Sequence, residues 1–210
     1  MLLLRPTMLR LATSRHQRHQ LQQRALRLSL PRAAISTNPM FDLSGRTALV
    51  TGGARDIGGA CAIELARAGA DVVINFNSSA AAAEETVAAI KMFGRRACAV
   101  QANVFEQTGR EELVGAAQAF FGGEGKQICD ILVNNAGGLN LRGELCDDVM
   151  TEELMLDNLQ MNFVSTAMMC KAVIPGMKER EWGRIINMGS IAGNNGGSGT
   201  TTPHCTWIEY

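Results

Sequence analysis

Acidic residues are missing from the first 40 positions, where seven arginines stand: Arg5, Arg10, Arg15, Arg18, Arg24, Arg27 and Arg32. The remaining 13 basic residues therefore face all 20 acids, and the rest of the chain is net −7 although the whole is neutral. A body of that sign disfavours nucleic acid as a partner. Long apolar runs are missing too, so a membrane-spanning helix is not expected. No Cys-x-x-Cys pair occurs among cysteines 61, 98, 129, 146, 170 and 205, and their spacing fits no zinc pattern. Most of these cysteines lie in apolar stretches, as buried free thiols do, which fits a reducing compartment. No metal site is expected.

What the chain does contain is enough apolar material to fold. It has 210 residues, 46% hydrophobic and 19% charged, sufficient for one α/β domain with a sizeable core. Leu2–Leu30 mixes leucine, arginine, serine and threonine. That composition suits an amphipathic transit peptide for the mitochondrion, with a plastid address, or a basic tail on a cytoplasmic protein, as alternatives. Arg5 and Arg10 interrupt the uninterrupted apolar core that a secretory signal would need. Pro31 and Pro39 bracket the join to the folded body, where processing is expected. The chain divides on this reading into a basic segment, 1–40, a body, 41–200, and a short tail, 201–210.

Strand and helix patterns alternate through the body. Thr47–Thr51, Asp71–Phe76, Arg96–Gln101, Asp130–Asn134 and Arg184–Asn187 read as strands. Between them, Ile57, Cys61, Leu65 and Ala68 recur at helical spacing, as do Ala83, Val87 and Ile90, then Leu113, Ala117 and Phe120. Gly69, Gly94 and the Gly122–Gly123 pair close these three helices. A longer helix is expected over Thr151–Met177, with Leu156, Leu159, Phe163 and Ala167 on one stripe. Near-continuous apolar strands separated by helices predict a doubly wound parallel sheet of Rossmann type, covered on both faces.

The first strand runs into Thr51-Gly52-Gly53-Ala54-Arg55-Asp56-Ile57-Gly58. Small residues at such a turn let the backbone approach a pyrophosphate, and the following helix offers free N–H groups and its positive dipole end. A plain strand–helix turn would use the same residues. An acid at the end of the second strand would serve the ribose 2′-hydroxyl of NAD. That stretch is Asn75-Phe76-Asn77-Ser78-Ser79, without an acid, and Arg55 stands ready for a 2′-phosphate. Both features favour NADP(H) over NAD(H).

With those residues in view, the chain resembles the short-chain dehydrogenases/reductases, and within them the 3-oxoacyl-carrier-protein reductase-like branch. Thr51, Gly52 and Gly58 match the family's Thr-Gly-x3-Gly-x-Gly turn, with Asp56 in place of the middle glycine. Asp56 is read as the N-cap of the first helix. Asn103-Val104 stands where the family commonly has Asp-Val packing on adenine, asparagine keeping the hydrogen bonding without the charge, and Asn134-Asn135-Ala136-Gly137 matches the Asn-Asn-Ala-Gly that steadies the sheet centre and lines the cofactor cleft. The resemblance implies cofactor contacts from Gly52, Arg55, Ile57, Gly58, Asn75, Asn103, Val104, Asn135, Ala136 and Gly137. It implies strand order 3-2-1-4-5. It also implies NADPH-dependent reduction of a ketone or 3-oxoacyl thioester, or the reverse oxidation of a secondary alcohol. Asn162 matches the helix asparagine that positions a relay water, and Ser190 the serine that holds the substrate carbonyl. A polar residue satisfied in a helix face and an ordinary turn serine are the plainer readings of those two.

The resemblance breaks down after Ser190. The family's proton donor is a tyrosine, with a lysine four residues on that lowers its pKa. The expected positions hold Pro203 and Trp207; the only tyrosine is Tyr210, and no lysine follows Lys178. The segment Thr201–Tyr210 lacks a helical stripe and looks like an unrelated tail, as a shifted frame or alternative exon would give. The expectation is a family domain lacking its last strands and helices and catalytically dead as given, with an exposed fifth strand that promotes self-association. A cofactor-binding or partner-binding remnant, or a non-functional product, are the alternatives.

Overall fold

A computed structural model of the chain describes residues 41–122, 128–138 and 151–190. The basic segment 1–40 and the tail 201–210 lie outside the described residues. Five strands form one parallel sheet: β1 (Thr47–Val50), β2 (Asp71–Phe76), β3 (Ala97–Gln101), β4 (Ile131–Asn134) and β5 (Arg184–Asn187), in the order β3-β2-β1-β4-β5. Each strand falls where the sequence pattern predicts it. Helices α1 (Asp56–Arg67), α2 (Ala80–Lys91) and α3 (Gln107–Phe121) separate the first four strands. A continuous helical run then comprises α4 (Glu152–Leu159), a π-helical turn (Gln160–Val164) and α5 (Ser165–Glu179).

Side chains alternate across a strand, so the central strands feed two cores. On one face Ala48, Val50, Ile74 and Val133 pack with Ala62 and Ala66 of α1 and Ala83 and Ile90 of α2. On the other, Leu49, Val73 and Leu132 pack with Leu113 and Ala117 of α3 and Met169 and Val173 of α5. Leu49, Val50, Val72, Val73, Ile74 and Leu132 are fully buried. Each such side chain stabilises the fold by about 1.5–3 kcal/mol. At the amino end of the sheet, buried Asp130 ties β1 to β4: its Oδ2 accepts from the Thr47 backbone N–H at 2.9 Å and from Thr47 Oγ1 at 3.1 Å. Arg180 and Arg46 balance its charge at 3.4 and 3.7 Å.

Two helical stripes differ from the sequence expectation. In α1 the buried positions are Gly58, Gly59, Ala62 and Ala66, whereas Ile57 is 61% exposed. The face of α1 turned to the protein is thus made of small residues, and the larger side chain at its start lies on the other side. In the long helical run the buried face carries Asn158, Asn162, Ser165, Met169, Val173 and Met177, while Leu156 and Phe163 are exposed. The inward polar side chains are satisfied by backbone, which lets them displace the apolar stripe. Asn162 donates to the carbonyls of Gly138 and Asn158, and Asn158 donates to that of Leu154.

Candidate cofactor site

In the order β3-β2-β1-β4-β5 the chain reverses direction of winding between β1 and β4, and the carboxyl ends of strands at such a point open a crevice. The crevice here has a volume of about 340 Å³, in the range of small-molecule clefts. The turn after β1, the turn after β2, the start of the β3–α3 connection and the loop after β4 form its walls. All ten residues expected from the sequence to touch a cofactor line it: Gly52, Arg55, Ile57, Gly58, Asn75, Asn103, Val104, Asn135, Ala136 and Gly137. Ala54, Asp56, Asn77, Ser78 and Ser79 join them.

The turn is held by a hub between two motif residues, Thr51 and Asn135, whose mutual bonds the sequence alone did not give. Thr51 Oγ1 accepts the backbone N–H groups of Asn135 and Ala136, both at 3.0 Å. Asn135 Nδ2 answers by donating to the carbonyls of Thr51 at 3.2 Å and Gly52 at 3.0 Å. β1 and β4 are thus laced at the point where they meet the crevice. The hint in the sequence was the hydroxyl at the last position before the glycines. Gly52 has φ +60°, a conformation that favours glycine. A Cβ on Gly58 would collide with the Gly52 carbonyl and the Asn135 amide. Thr86 of α2 donates to the Ala54 carbonyl at 2.8 Å and fixes the far side of the turn.

Asp56 does not cap α1. The N-cap position is Arg55, with no side-chain cap bond, and Asp56 is the first helical residue at φ +52°. A capping side chain needs an extended backbone at its own residue, and Asp56 instead adopts a left-handed conformation, which glycine takes most readily. Its carboxylate lies 3.7 Å from Arg55 Nε, with side-chain exposures of 80% and 70%. The start of α1 has no side-chain cap bond, and its first residues, Asp56, Ile57 and Gly58, line the crevice, a placement in which free N–H groups can serve an anion.

Asn75 is 2% exposed, and its amide works inside the protein. Oδ1 accepts from Gly52 N–H at 3.3 Å, and Nδ2 donates to the Ala102 carbonyl at 2.8 Å. It therefore shapes the crevice by joining the ends of β1, β2 and β3, rather than reaching into it with a free polar group. Asn103 likewise binds Glu106 at 2.7 Å and the Phe105 N–H at 3.2 Å.

Asn162 and Ser190 are not in the crevice wall. Asn162 sits in the π-helical turn, 5% exposed. Its Oδ1 accepts from Gly138 N–H and its Nδ2 donates to Gly138 O, each at 2.9 Å, a two-bond clamp on the loop after β4. A Cβ on Gly137 would come within 2.8 Å of that Oδ1. The plainer reading of Asn162, a satisfied polar residue in a packed helix, accounts for its side chain. Ser190 follows β5 at the carboxyl end of the sheet and is partly buried. Pro203 and Trp207 lie outside the described residues. Among the described residues no group of acids, histidines or cysteines is arranged to hold a metal, and no helix is long and apolar enough to cross a membrane.

The crevice thus combines glycines where side chains would block backbone approach with a helix start that has no side-chain cap, and Arg55, Asn77, Ser78 and Ser79 are among its lining residues. Comparison with known proteins points the same way. Residues 46–202 match the family model described as short chain dehydrogenase. A short chain dehydrogenase/reductase of Aspergillus aculeatus, AacuN, is 40% identical over 133 residues, which cover 62% of this chain and 48% of that protein. A 3-oxoacyl-[acyl-carrier-protein] reductase of Synechocystis is 36% identical over 164 residues, covering 76% of this chain and 62% of that one. The chain thus spans about half to three-fifths of the length of these relatives. Among solved structures, a short chain dehydrogenase of Burkholderia cenocepacia in complex with NADP is similar at a TM-score of 0.62 and 36% identity, over 72% of this chain and 58% of that one. A blue fluorescent protein from a metagenomic library in complex with NADPH gives 0.67 and 32%, over 76% and 62%.

Proposed function

This chain belongs to the short-chain dehydrogenase family, and we propose from that membership that its crevice binds NADP(H) in preference to NAD(H). The observation that carries the reading is the charge of the adenosine side. Asn77, Ser78 and Ser79 follow β2 where an acid would serve NAD, and they line the crevice together with Arg55. The solved relatives holding NADP and NADPH support the same choice. When bound, such a cofactor supplies or accepts hydride. The residues of this chain would hold it: the glycine turn admits its pyrophosphate, the start of α1 offers N–H groups, and Ala136 and Gly137 border the cleft beside β4. Titration of the chain with NADPH and NADH by calorimetry tests the reading. NADPH is expected to bind more tightly, with the gap narrowed by Arg55→Ala; a preference for NADH in the unmutated chain would refute it.

The parent reaction on this reading is reduction of a ketone or 3-oxoacyl thioester, with Ser190 holding the substrate carbonyl and Asn162 steadying the loop that borders it. Pro203 and Trp207 occupy the positions where the family carries its tyrosine and lysine. Neither side chain can donate a proton as that pair does, so the proposed chain binds cofactor without turning over. NADPH oxidation with a panel of ketones and 3-oxoacyl thioesters should stay at background. Turnover abolished by Ser190→Ala would overturn this part. The seven arginines before Asp42 further favour organelle import. A reporter fused to residues 1–40 should be imported and cleaved; a diffuse, uncleaved reporter would contradict it.

A further inference from the structure

Among the described residues lining the crevice, Arg55 and Asp56 are the two that carry charge, and they are adjacent. Arg55 is extended, at φ −157°, and Asp56 turns left-handed at φ +52°. That change of direction sets the carboxylate against the guanidinium, Nε to Oδ2 3.7 Å. Both side chains are mostly exposed. The pair is therefore held by geometry and weak attraction, and it can open. The cation expected to meet a 2′-phosphate thus already has an anion at hand, and the described residues lining the crevice carry no net side-chain charge.

We infer that Asp56 is a specificity-determining residue of this site: its carboxylate competes with a ligand 2′-phosphate for Arg55 and so lowers the preference for NADP(H) over NAD(H). The inference rests on the NADP(H) reading above. It has a physical content beyond simple repulsion. A carboxylate near the pyrophosphate would weaken both dinucleotides alike, because both carry the pyrophosphate. Competition for Arg55 weakens only the one with the additional phosphate. The effect must therefore run through Arg55, and it must fade as salt screens the exposed charges.

The test is a double-mutant cycle on the full chain, with NADPH and NADH titrated by calorimetry at low and moderate salt. Asn shares the tolerance of aspartate for the left-handed region, so Asp56→Asn removes the charge and keeps the turn. Freeing a unit charge near 4 Å at an exposed site corresponds to a rise of about 5-fold in the NADPH-to-NADH affinity ratio. That rise should vanish in the Arg55→Ala background and shrink at higher salt. Asp56→Gly, which also relaxes the backbone, should change the ratio in the same way and carries the test should Asp56→Asn unfold. An unchanged ratio in Asp56→Asn and Asp56→Gly, or a rise that persists without Arg55, overturns the inference while the cofactor reading stands. If the wild type and the variants bind neither dinucleotide, the cofactor reading fails and the inference fails with it.

Discussion

Replacing Gly58 by alanine should damage both fold and site, and the size of the damage follows from the turn. The added Cβ would run into the Gly52 carbonyl and the Asn135 amide nitrogen, two groups already bonded to each other at 3.0 Å. Forcing a methyl group into a packed site costs about 1–3 kcal/mol. Pushing Asn135 aside also weakens its bonds to the Thr51 and Gly52 carbonyls, each worth about 1 kcal/mol. A loss of about 3 kcal/mol would take a large part of the ~5–15 kcal/mol an ordinary domain keeps. For a chain of this size it would lower the melting temperature by about 6–12 °C. Gly115 is the internal control. It lies within α3, with nothing within 4 Å of where a Cβ would stand, so Gly115→Ala should stabilise by about 0.5–1 kcal/mol. Thermal unfolding and NADPH titration of both variants provide the assay. The reasoning is refuted if Gly58→Ala melts with the wild type and binds equally well.

Three further outcomes are expected. Glu181 closes α5 at φ +53°, with its N–H donating to Lys178 O and Trp182 N–H to Met177 O, a helix end in which glycine is favoured; Glu181→Gly should raise stability by about 0.5–1 kcal/mol, and a lowered melting temperature would contradict this. Burial, with the charge of Asp130 adding to it, pushes the Cys129 thiol from its usual 9.0 up to about 12. The folded state therefore keeps this proton after the unfolded state has lost it, and the stability it contributes, complete below about pH 9, falls as pH rises towards 12. Urea unfolding against pH should show that decline, flattened in Cys129→Ala; an unchanged slope would count against it. Finally, β5 is an edge of the described sheet with Ile186 45% exposed, so the chain should self-associate and Ile186→Lys should reduce this in sedimentation velocity; a wild type that sediments as a monomer would oppose it.

The strands were legible because a buried parallel strand is an apolar run bounded by turns, a pattern that survives any detail of packing. Helix faces were harder to read. Ile57 and Phe163 look like core residues by spacing, yet each points outward. In α1 the buried face is taken by Gly58, Gly59, Ala62 and Ala66, and near Phe163 a clamp from Asn162 to Gly138 claims the inner face. Periodicity registers hydrophobicity, and it has no measure of interaxial distance or of backbone groups waiting for a partner. The crevice was readable from the glycine turn and from Asn135-Ala136-Gly137, which are local in sequence. The roles of Thr51 and Asn75 depend on partners from 23 to 85 positions away, which no local pattern reveals. Asp56 illustrates the same limit, since its residue type suits both a cap and a left-handed turn and only the backbone distinguishes them.

The central claim is that the adenosine side of the crevice is built for a 2′-phosphate. Adenosine 2′,5′-bisphosphate and adenosine 5′-monophosphate differ in that group alone, so their titration against the full chain isolates it from pyrophosphate and nicotinamide. The account predicts tighter binding of the bisphosphate, with the difference lost in Arg55→Ala. Equal affinities for the two nucleotides, or a difference unaffected by Arg55→Ala, would contradict it.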